Sequence, residues 1–297
     1  MITLEALAEL HERHRADAGL RVGPLLIGDR TYDVDERPVV MGCVNLSRDS
    51  TYRESVATST ASAIRKGRVQ TAQGADIVDI GAESSNAGAK RVSAEDQLAA
   101  LTPVVRQLVD DGIHVSVETY RPEVARACLD LGAVMVNFTG HDHQDEVFDL
   151  VAEHRATLLM CRVTGHNVRE VTEVPVDEDP VPELLAHFGA RVEVARAHGV
   201  ERIVIDPAMG FYYANLTEPR TRVTHQTRVL LNTFRLRPLG LPVCHAVPHA
   251  FDLFEDEFRI AEPFFAVLAS LGGASVFRTH EVPRVAAVLN ALEVLSL

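Results

Sequence analysis

The feature that most constrains the fold of this chain is a regular alternation of two kinds of segment. From residue 39 onward, short runs of β-branched and apolar residues alternate with longer amphipathic stretches. This rhythm is typical of a parallel sheet, because each strand needs a crossover helix to return to the same edge. About eight such units fit into the remaining ~260 residues, which predicts an α/β fold, a closed (β/α)8 TIM barrel rather than an open doubly wound sheet. The predicted strands are Val39–Asn45, Ile77–Gly81, His114–Glu118, Val134–Phe138, Thr157–Arg162, Arg202–Pro207, Leu241–His245 and Ser275–His280.

Residues 1–38 precede this pattern and are predicted to form an N-terminal extension. The first twenty residues are charged and amphipathic, which predicts a helix. This segment lacks the apolar run of a signal peptide. Within Pro24–Pro38, Gly28-Asp29 lies between apolar and β-branched runs, which predicts a hairpin that could plug the lower end of the barrel. We therefore expect a helix and hairpin at 1–38, followed by one barrel domain at 39–297.

Polar residues lie at the ends of nearly all the predicted strands. In a TIM barrel the chemistry is located at the carboxyl ends of the strands, so these residues are the first candidates for a functional site. Solvent exposure explains any single one of them, but it does not explain a series. Amide and carboxylate groups that converge on one barrel mouth suit a planar heterocycle with adjacent N–H donors and ring acceptors. The residues are Asn45, Glu83, Glu118, Asn137, Arg162, Asp206, His245, Arg278 and His280.

Arg278 and His280 lie two residues apart on the last predicted strand, so both should face the same side and offer two cations to an anion. Barrels often bind phosphate after their final strands. Asn45 and Asp49 near such a site would allow one or two ligands to Mg²⁺, although solvation explains Asp49 taken alone. Phe211 begins the run Phe211-Tyr212-Tyr213, for which stacking on a ring substrate and packing against a loop are equally good interpretations.

Histidine and cysteine spacing does not favour a zinc site. His141 and His143, like His245 and His249, have no third ligand at a recognisable spacing. The four cysteines are far apart and form no C-x-x-C pair, which favours a reduced, cytoplasmic setting.

The charge and hydropathy of the chain argue against two classes of partner. With 29 Lys and Arg against 42 Asp and Glu, the formal net charge of −13 repels nucleic acid and anionic lipid. No apolar stretch approaches the roughly 18 residues of a membrane span. We therefore expect a small-molecule partner, without nucleic acid or membrane.

Several ordered motifs at these strand ends resemble those of the dihydropteroate synthase family of pterin-binding barrels. The segment 41–50, MGCVNLSRDS, is similar to M-G-x-x-N-x-T-P-D-S, and 79–89, DIGAESSNAGA, is similar to D-I-G-G-E-S-T-R-P-G-A. Further along, VETY at 117–120, VN at 136–137, DPAMGF at 206–211 and RTHEV at 278–282 are similar to V-D-T-Y, I-N-D, D-P-G-x-G-F and R-x-H-D-V. The resemblance covers nearly the whole chain from Val39 onward.

The resemblance implies roles for these residues. Glu118, Asn137 and Asp206 would hold a pterin ring, with Phe211 and Glu83 completing the substrate site. Asn45, Arg278 and His280 would bind a diphosphate leaving group and Mg²⁺, with Asn45 as the metal ligand. The family also implies a homodimer, and no organic cofactor is predicted.

Two departures from the family pattern change the expected activity. The S-R-K of the seventh strand is absent, and LPVCHAVPH at 241–249 stands in its place; the second loop has Ser85-Asn86-Ala87 instead of T-R-P. His245 and His249 are the candidate replacements for the lysine, and a histidine is charged only part of the time near neutral pH. The family's lysine on the seventh strand and arginine in the second loop are both absent. Each lost charge-assisted contact of these two cations would cost about 2–4 kcal/mol in the transition state.

We therefore expect a transferase of this family with an altered substrate rather than ordinary dihydropteroate synthesis. It would join a nucleophile to a pterin-like or other heterocycle that carries an anionic leaving group, with His245 joining Asn45, Arg278 and His280 in catalysis. The alternatives are a methyltetrahydrofolate-type methyltransferase barrel and a non-catalytic pterin-binding homologue.

Overall fold

The computed structural model describes residues 2–50, 52–86, 88–170, 173–176, 178–211 and 213–295. Its centre is the predicted barrel of eight parallel strands. In chain order the strands are β1 (Leu25–Ile27), β2 (Arg30–Tyr32), β3 (Val39–Asn45), β4 (Ile77–Gly81), β5 (Val115–Thr119), β6 (Met135–Phe138), β7 (Thr157–Cys161), β8 (Ile203–Asp206), β9 (Cys244–Ala246) and β10 (Val276–Thr279). Strands β3 to β8 pair in sequence, and β10 lies between β3 and β9. The backbone N–H of Ile205 donates to the carbonyl of Pro242 at 3.1 Å and joins β8 to the chain before β9.

Helices surround the barrel and mostly begin at local signals in the sequence. They are α1 (Leu4–Arg13), α2 (Arg15–Ala18), α3 (Thr60–Ala72), α4 (Ala94–Asp110), α5 (Pro122–Asp130), α6 (Gln144–Glu153), α7 (Val181–Ala197), α8 (Pro219–Leu231), α9 (Phe251–Phe254), α10 (Ala261–Leu271) and α11 (Val282–Val294), with 3-10 segments at Arg53–Ser55, Thr233–Leu239 and Glu255–Ile260. Ser59 and Ser62 form a reciprocal capping box on α3, and the Ser93 hydroxyl caps α4. Pro122 begins α5 and Pro219 begins α8, where a missing N–H costs nothing.

The N-terminal hairpin covers the amino-terminal end of the barrel. β1 and β2 pair antiparallel around Gly28, whose φ of +58° suits a glycine in a tight turn. Leu25 and Ile27 are buried against inward-facing barrel residues such as Met41 and Leu159. Because these apolar side chains fill the lower barrel, the polar strand ends are displayed only at the opposite, open end.

The seventh barrel strand differs from its prediction. The observed strand is β9 (Cys244–Ala246), three residues later than the predicted start at Leu241. Pro242 has no N–H to donate to a strand ladder, and the helix before it gives way to the 3-10 segment Thr233–Leu239. Helix α8 begins at Pro219, because the Glu218 side chain accepts from the backbone N–H groups of Arg220 and Thr221.

In the described part of the chain, none of the helices combines the length and the apolar character that a bilayer crossing requires.

Candidate functional site

Two adjoining cavities open where the barrel strands end. The smaller has a volume of about 120 Å³ and lies over the ends of β3, β5 and β10. The larger, about 430 Å³, lies beside it between the segments that follow β8 and β9. The residues that line both are Ser85, Gly210, Phe211 and His249. One ligand can therefore occupy both compartments, or two reactants can meet where the cavities join.

Arg278 lies across the floor of the smaller cavity and is held by two carboxylates. Its Nε donates to Asp79 Oδ2 at 2.8 Å, and its Nη2 donates to Glu118 Oε2. The Nδ2 of Asn137 donates to the same Asp79 oxygen at 3.0 Å, and its amide oxygen accepts from the Cys161 thiol at 3.2 Å. The Oδ1 of Asp79 is buried and has no hydrogen-bond partner among the described residues. Asp79 Oδ1 is thus a buried acceptor that could still take a hydrogen bond from a ligand.

Glu118 and Asp206 are harder to ionise than ordinary carboxylic acids. Burial raises the pKa of Glu118 to about 7, with Asp79 and Asp206 adding to the rise and Arg278 opposing it. Burial also raises the pKa of Asp206 to about 6. Glu118 at the cavity surface, with Asp79 and Asp206 buried nearby, favours a ligand edge that donates N–H groups.

Asp206 ends β8 and is buried beneath the mouth. Its Oδ1 accepts from the backbone N–H of Ala208 at 2.6 Å. Ala208 has φ of +63°, in the left-handed region, at the position where the family motif has glycine. The turn therefore holds a residue that is strained in it.

Asn45 ends β3 and lines the smaller cavity. Its Nδ2 donates to the Ser50 hydroxyl at 2.9 Å and to the Ser55 hydroxyl at 2.6 Å. The amide nitrogen is thus engaged within its own loop, and the amide oxygen is the atom that can bind a hard cation. Asp49 is exposed, and its Oδ2 accepts from the backbone N–H of Lys90 at 3.3 Å. Asn45 therefore fits the role of a single protein ligand to Mg²⁺.

His280 lines the same cavity as Arg278, but neither is a free cation. The Nδ1 of His280 lies 2.8 Å from Oε1 of Glu262, a fully buried residue of α10. The ring stacks on Tyr52 with centroids 4.6 Å apart. Burial lowers the pKa of His280, and Glu262 partly opposes that effect. Arg278 and His280, the two predicted cations, therefore each contact a carboxylate of the protein in the absence of a bound anion.

His245 does not face the mouth, so the prediction that it replaces the lysine is wrong. Side chains alternate along β9: Cys244 packs inside the barrel, Ala246 lines the smaller cavity, and His245 faces the helical layer. Its Nε2 lies 2.8 Å from the Thr233 hydroxyl, and the side chain is fully buried. Burial lowers the pKa of His245 to about 3, so the ring is neutral. His249, four residues later, is the histidine that reaches the cavities.

Arg162 also faces away from the mouth. Its Nη2 donates to Glu183 Oε1 on α7 at 2.9 Å. It therefore joins a strand to its helix and adds no charge to the floor.

Glu83 lines the smaller cavity, but its carboxylate is engaged by the protein. Its Oε1 accepts from the backbone N–H of Val92 at 3.0 Å. Its Oε2 accepts from the Tyr120 hydroxyl at 2.7 Å and from Gln97 Nε2 at 3.2 Å. Glu83 thus ties the loop after β4 to α4, and it is not a free acid for a ligand.

Arg169 holds the same loop from the other side. Its guanidinium is almost fully buried and donates to the backbone carbonyls of Ser84, Asn86 and Ala89. Ala87, within this loop, lies outside the described residues. An arginine from the loop after β7 therefore orders a segment that borders both cavities, without offering its charge to them.

Phe211 is placed where the two cavities join, and it packs with Tyr213 and Leu216. Tyr213 donates its hydroxyl to the Ala208 carbonyl at 3.2 Å, whereas Tyr212 lies outside the described residues. Phe211 therefore lines the cavities, while Tyr213 packs against the neighbouring loop. In the larger cavity Arg222 is paired with Asp252 at 2.7 Å.

Asp79, Glu262 and Arg169 are residues of the site that the sequence patterns did not indicate. Asp79 belongs to a quoted motif, and its place inside a buried strand was an available signal. Glu262 and Arg169 lie on a helix and on a long loop, and nothing in their local pattern marks them.

Comparisons with known proteins agree with this fold. Residues 41–280 match the family model described as "Pterin binding enzyme". A dihydropteroate synthase of Synechocystis sp. is 29% identical over 284 residues, which is 92% of this chain and 95% of the relative. The Xanthomonas albilineans dihydropteroate synthase solved with 4-aminobenzoic acid is 28% identical and superposes with a TM-score of 0.76, covering 93% of this chain and all of that one. The same enzyme in complex with 7,8-dihydropteroate is 27% identical with a TM-score of 0.73, covering 92% of this chain and all of that chain. With its barrel, its polar strand ends and these matches, the chain belongs to the dihydropteroate synthase family of pterin-binding enzymes, a family of transferases.

Proposed function

We propose that this chain joins a nucleophile to the exocyclic methylene carbon of a pterin-like heterocycle, releasing an anionic leaving group, with an acceptor other than 4-aminobenzoate. The observation that carries the proposal is the floor of the smaller cavity. Glu118 and Arg278 line that cavity, Asp79 and Asp206 are buried nearby, and Asp79 Oδ1 has no partner among the described residues. The amino and ring N–H groups of a pterin edge would satisfy such acceptors.

Arg278 would bind the anionic leaving group, and the protonation state of Glu118 would control how strongly it does so. Below pH ~7 Glu118 takes up a proton, which frees one side of the Arg278 guanidinium for an anion. Binding of a diphosphorylated heterocycle should therefore strengthen as the pH falls through this range. The Asn45 amide oxygen would contribute one ligand to Mg²⁺, and phosphate oxygens would supply others.

The altered acceptor is supported by the larger cavity. Its Arg222 is paired with Asp252, so it adds no net charge to hold a carboxylated arene. Phe211 and Phe251 supply aromatic rings, and His249 lies at the junction. This lining suits an uncharged acceptor with an aromatic or apolar body.

The test is a binding and turnover series on the whole chain. Pterin diphosphate, methyltetrahydrofolate and plain pterin are titrated by calorimetry, followed by assays of diphosphate release with 4-aminobenzoate and with aniline. We expect pterin diphosphate to bind best and aniline to support faster release than 4-aminobenzoate.

Three other results would contradict the proposal. Preference for methyltetrahydrofolate would favour the methyltransferase alternative. Tight pterin binding without release would favour a non-catalytic homologue. Faster release with 4-aminobenzoate would favour ordinary dihydropteroate synthesis.

Two variants test the floor itself. Asp206→Asn and Asn137→Ala should each abolish ring binding while keeping the thermal unfolding transition, because both residues lie at strand ends. A variant that binds plain pterin like the parent would remove that residue from the ring site.

We also propose a cytoplasmic homodimer. The four cysteines are free and buried, which supports a reducing compartment. Phe264 and Leu271 on α10 and Val294 on α11 are exposed apolar residues that a second copy would cover. Sedimentation equilibrium at micromolar concentration should give twice the chain mass of 32.5 kDa, and a single-chain mass would contradict the dimer.

A further inference from the structure

Glu262 connects two histidines at the junction of the cavities. The Nδ1 of His280 and the Nδ1 of His249 lie 2.8 and 3.1 Å from the same oxygen, Oε1. The other oxygen accepts from the backbone N–H of His280 at 2.9 Å, from that of Glu281 at 3.1 Å, and from the Thr279 hydroxyl. Both oxygens of this fully buried carboxylate are therefore surrounded by donors.

This environment determines which nitrogen of each ring carries the proton. Burial opposes ionisation of Glu262, but the charge and hydrogen bonds of His280 and His249 outweigh it and hold the pKa of that carboxyl well below its usual range. An ionised carboxylate only accepts hydrogen bonds. Each Nδ1 therefore keeps its proton toward Glu262, and Nε2 is the nitrogen of each ring that can take up or release a proton.

His249 is the better placed of the two to meet an acceptor. It lines both cavities, whereas His280 lines only the smaller of these two. Its side chain is 21% exposed, against 9% for His280. The rings of Tyr52 and Phe251 lie 5.1 and 5.4 Å from its own and restrict its tilt.

We propose that His249 is the general base that accepts the proton of the incoming nucleophile, and that Glu262 is the positioning residue that fixes its tautomer. This inference rests on the transferase proposed above. The N–H or O–H nucleophile would occupy the larger cavity, bonded through its proton to His249 Nε2. As the nucleophile forms its bond to the methylene carbon, the bond from that carbon to the diphosphate oxygen breaks and its electron pair leaves with the diphosphate. The nucleophile's proton passes to His249 Nε2 and later to water.

The charged groups around His249 predict the direction of its pH dependence. Glu262 faces it from α10, His280 from the end of β10, and the Tyr52 hydroxyl group belongs to the loop after β3. Across the larger cavity the Arg222–Asp252 pair contributes no net charge. Since the base must be unprotonated at Nε2, kcat should rise as the pH increases through the range in which imidazole loses its second proton.

The tautomer is measured first, on the ligand-free protein labelled with ¹⁵N-histidine. Long-range ¹H–¹⁵N spectra at pH 8 should show His249 and His280 protonated at Nδ1 alone, and Glu262→Gln should mix the tautomers of both. An Nε2–H form in the parent would overturn the assignment. So would tight binding of Zn²⁺ that shifts both Nδ1 resonances, because those nitrogens would then be metal ligands.

The base is tested by diphosphate release from pterin diphosphate with aniline, from pH 5.5 to 9. His249→Gln should lower kcat by about 10²–10⁴-fold and flatten the pH profile while the ligand still binds. His249→Lys, which restores a fixed charge, should not rescue the rate at pH 7, because an ammonium is no base there. His198→Gln, a half-buried position just after α7 and outside the residues that line the two cavities, is the control and should match the parent.

The outcomes separate the two proposals. A parent that binds but releases no diphosphate contradicts the transferase and this inference with it. A parent that turns over, with His249→Gln equal to it or His249→Lys fully active at pH 7, contradicts only the general base. Because Glu262→Gln changes a buried residue, its melting transition is recorded beside each spectrum.

Discussion

Removing the charge of Glu118 should stabilise the protein at alkaline pH, although Glu118 forms an ion pair with Arg278. The pair lies on a floor that also holds Asp79 and Asp206, so the ionised Glu118 faces two like charges in a buried setting. These effects, with burial the largest, raise the pKa of Glu118 to about 7 from an ordinary value of 4.5. The Glu118→Gln variant keeps the shape and an oxygen acceptor for Arg278 without the charge.

The magnitude follows from linkage between protonation and folding. When an acid has a higher pKa in the folded state, the stability it contributes is fully present below the unfolded pKa and is lost as the pH rises through the folded one. Each pH unit between the two values is worth ~1.4 kcal/mol, so the parent should lose about 3 kcal/mol through Glu118 between pH 4.5 and 8. At about 2.1 cal/mol/K per residue, the unfolding entropy of a chain this long converts that loss to about 5 °C in Tm.

The assay is calorimetric melting of parent and variant at pH 5 and pH 8. We expect similar Tm values at pH 5, where the folded parent holds the proton, and a Tm about 5 °C higher for Glu118→Gln at pH 8. Glu293→Gln, an exposed position on α11, is the control and should follow the parent. Parallel pH dependence of Tm in parent and Glu118→Gln, or a lower Tm of the variant at pH 8, would refute the reasoning.

Four further changes test other parts of the structure. Arg169→Ala should speed amide hydrogen exchange in residues 84–89, since three carbonyls lose their donor; unchanged exchange would mean that Arg169 does not order the loop. Ala208→Gly should raise the free energy of unfolding by about 1 kcal/mol, because it relieves a left-handed alanine, and a destabilised variant in urea melts would contradict that strain. Gly272→Ala should cost more than about 2 kcal/mol, because its Cβ would lie 1.8 Å from the Leu230 carbonyl oxygen, whereas its control Gly189→Ala meets nothing within 4 Å and should gain about 0.5–1 kcal/mol. His245→Gln should lower Tm yet leave the pH dependence of pyrophosphate binding as in the parent, and calorimetry at pH 5.5 and 8 would reveal any role at the mouth.

The sequence by itself determined the barrel and the places where its chemistry lies. The spacing of the βα repeat and the number of repeats were sufficient to predict the barrel, because a parallel sheet of this kind must have both faces covered. Strands β3 and β4 lie at the predicted residues, since runs of β-branched and apolar residues act locally. The same regularity placed Asn45, Glu118, Asn137, Asp206 and Arg278 at strand ends.

The tertiary structure decided which of these groups meet and which remain available to a ligand. Whether His245 faces the inside of the barrel depends on the register of β9. The strand begins at Cys244, three residues later than predicted, and in this register His245 faces the helical layer. Arg278 is 199 residues from Asp79 in sequence and 160 from Glu118, and Glu262 reaches its histidines from a helix outside the barrel. Such contacts depend on the closure of the sheet and the packing of helices against it, which no local pattern encodes. Buried ionisable groups must find partners because desolvation is costly, so the partner that the fold brings within reach, rather than the motif, sets the charge of the site.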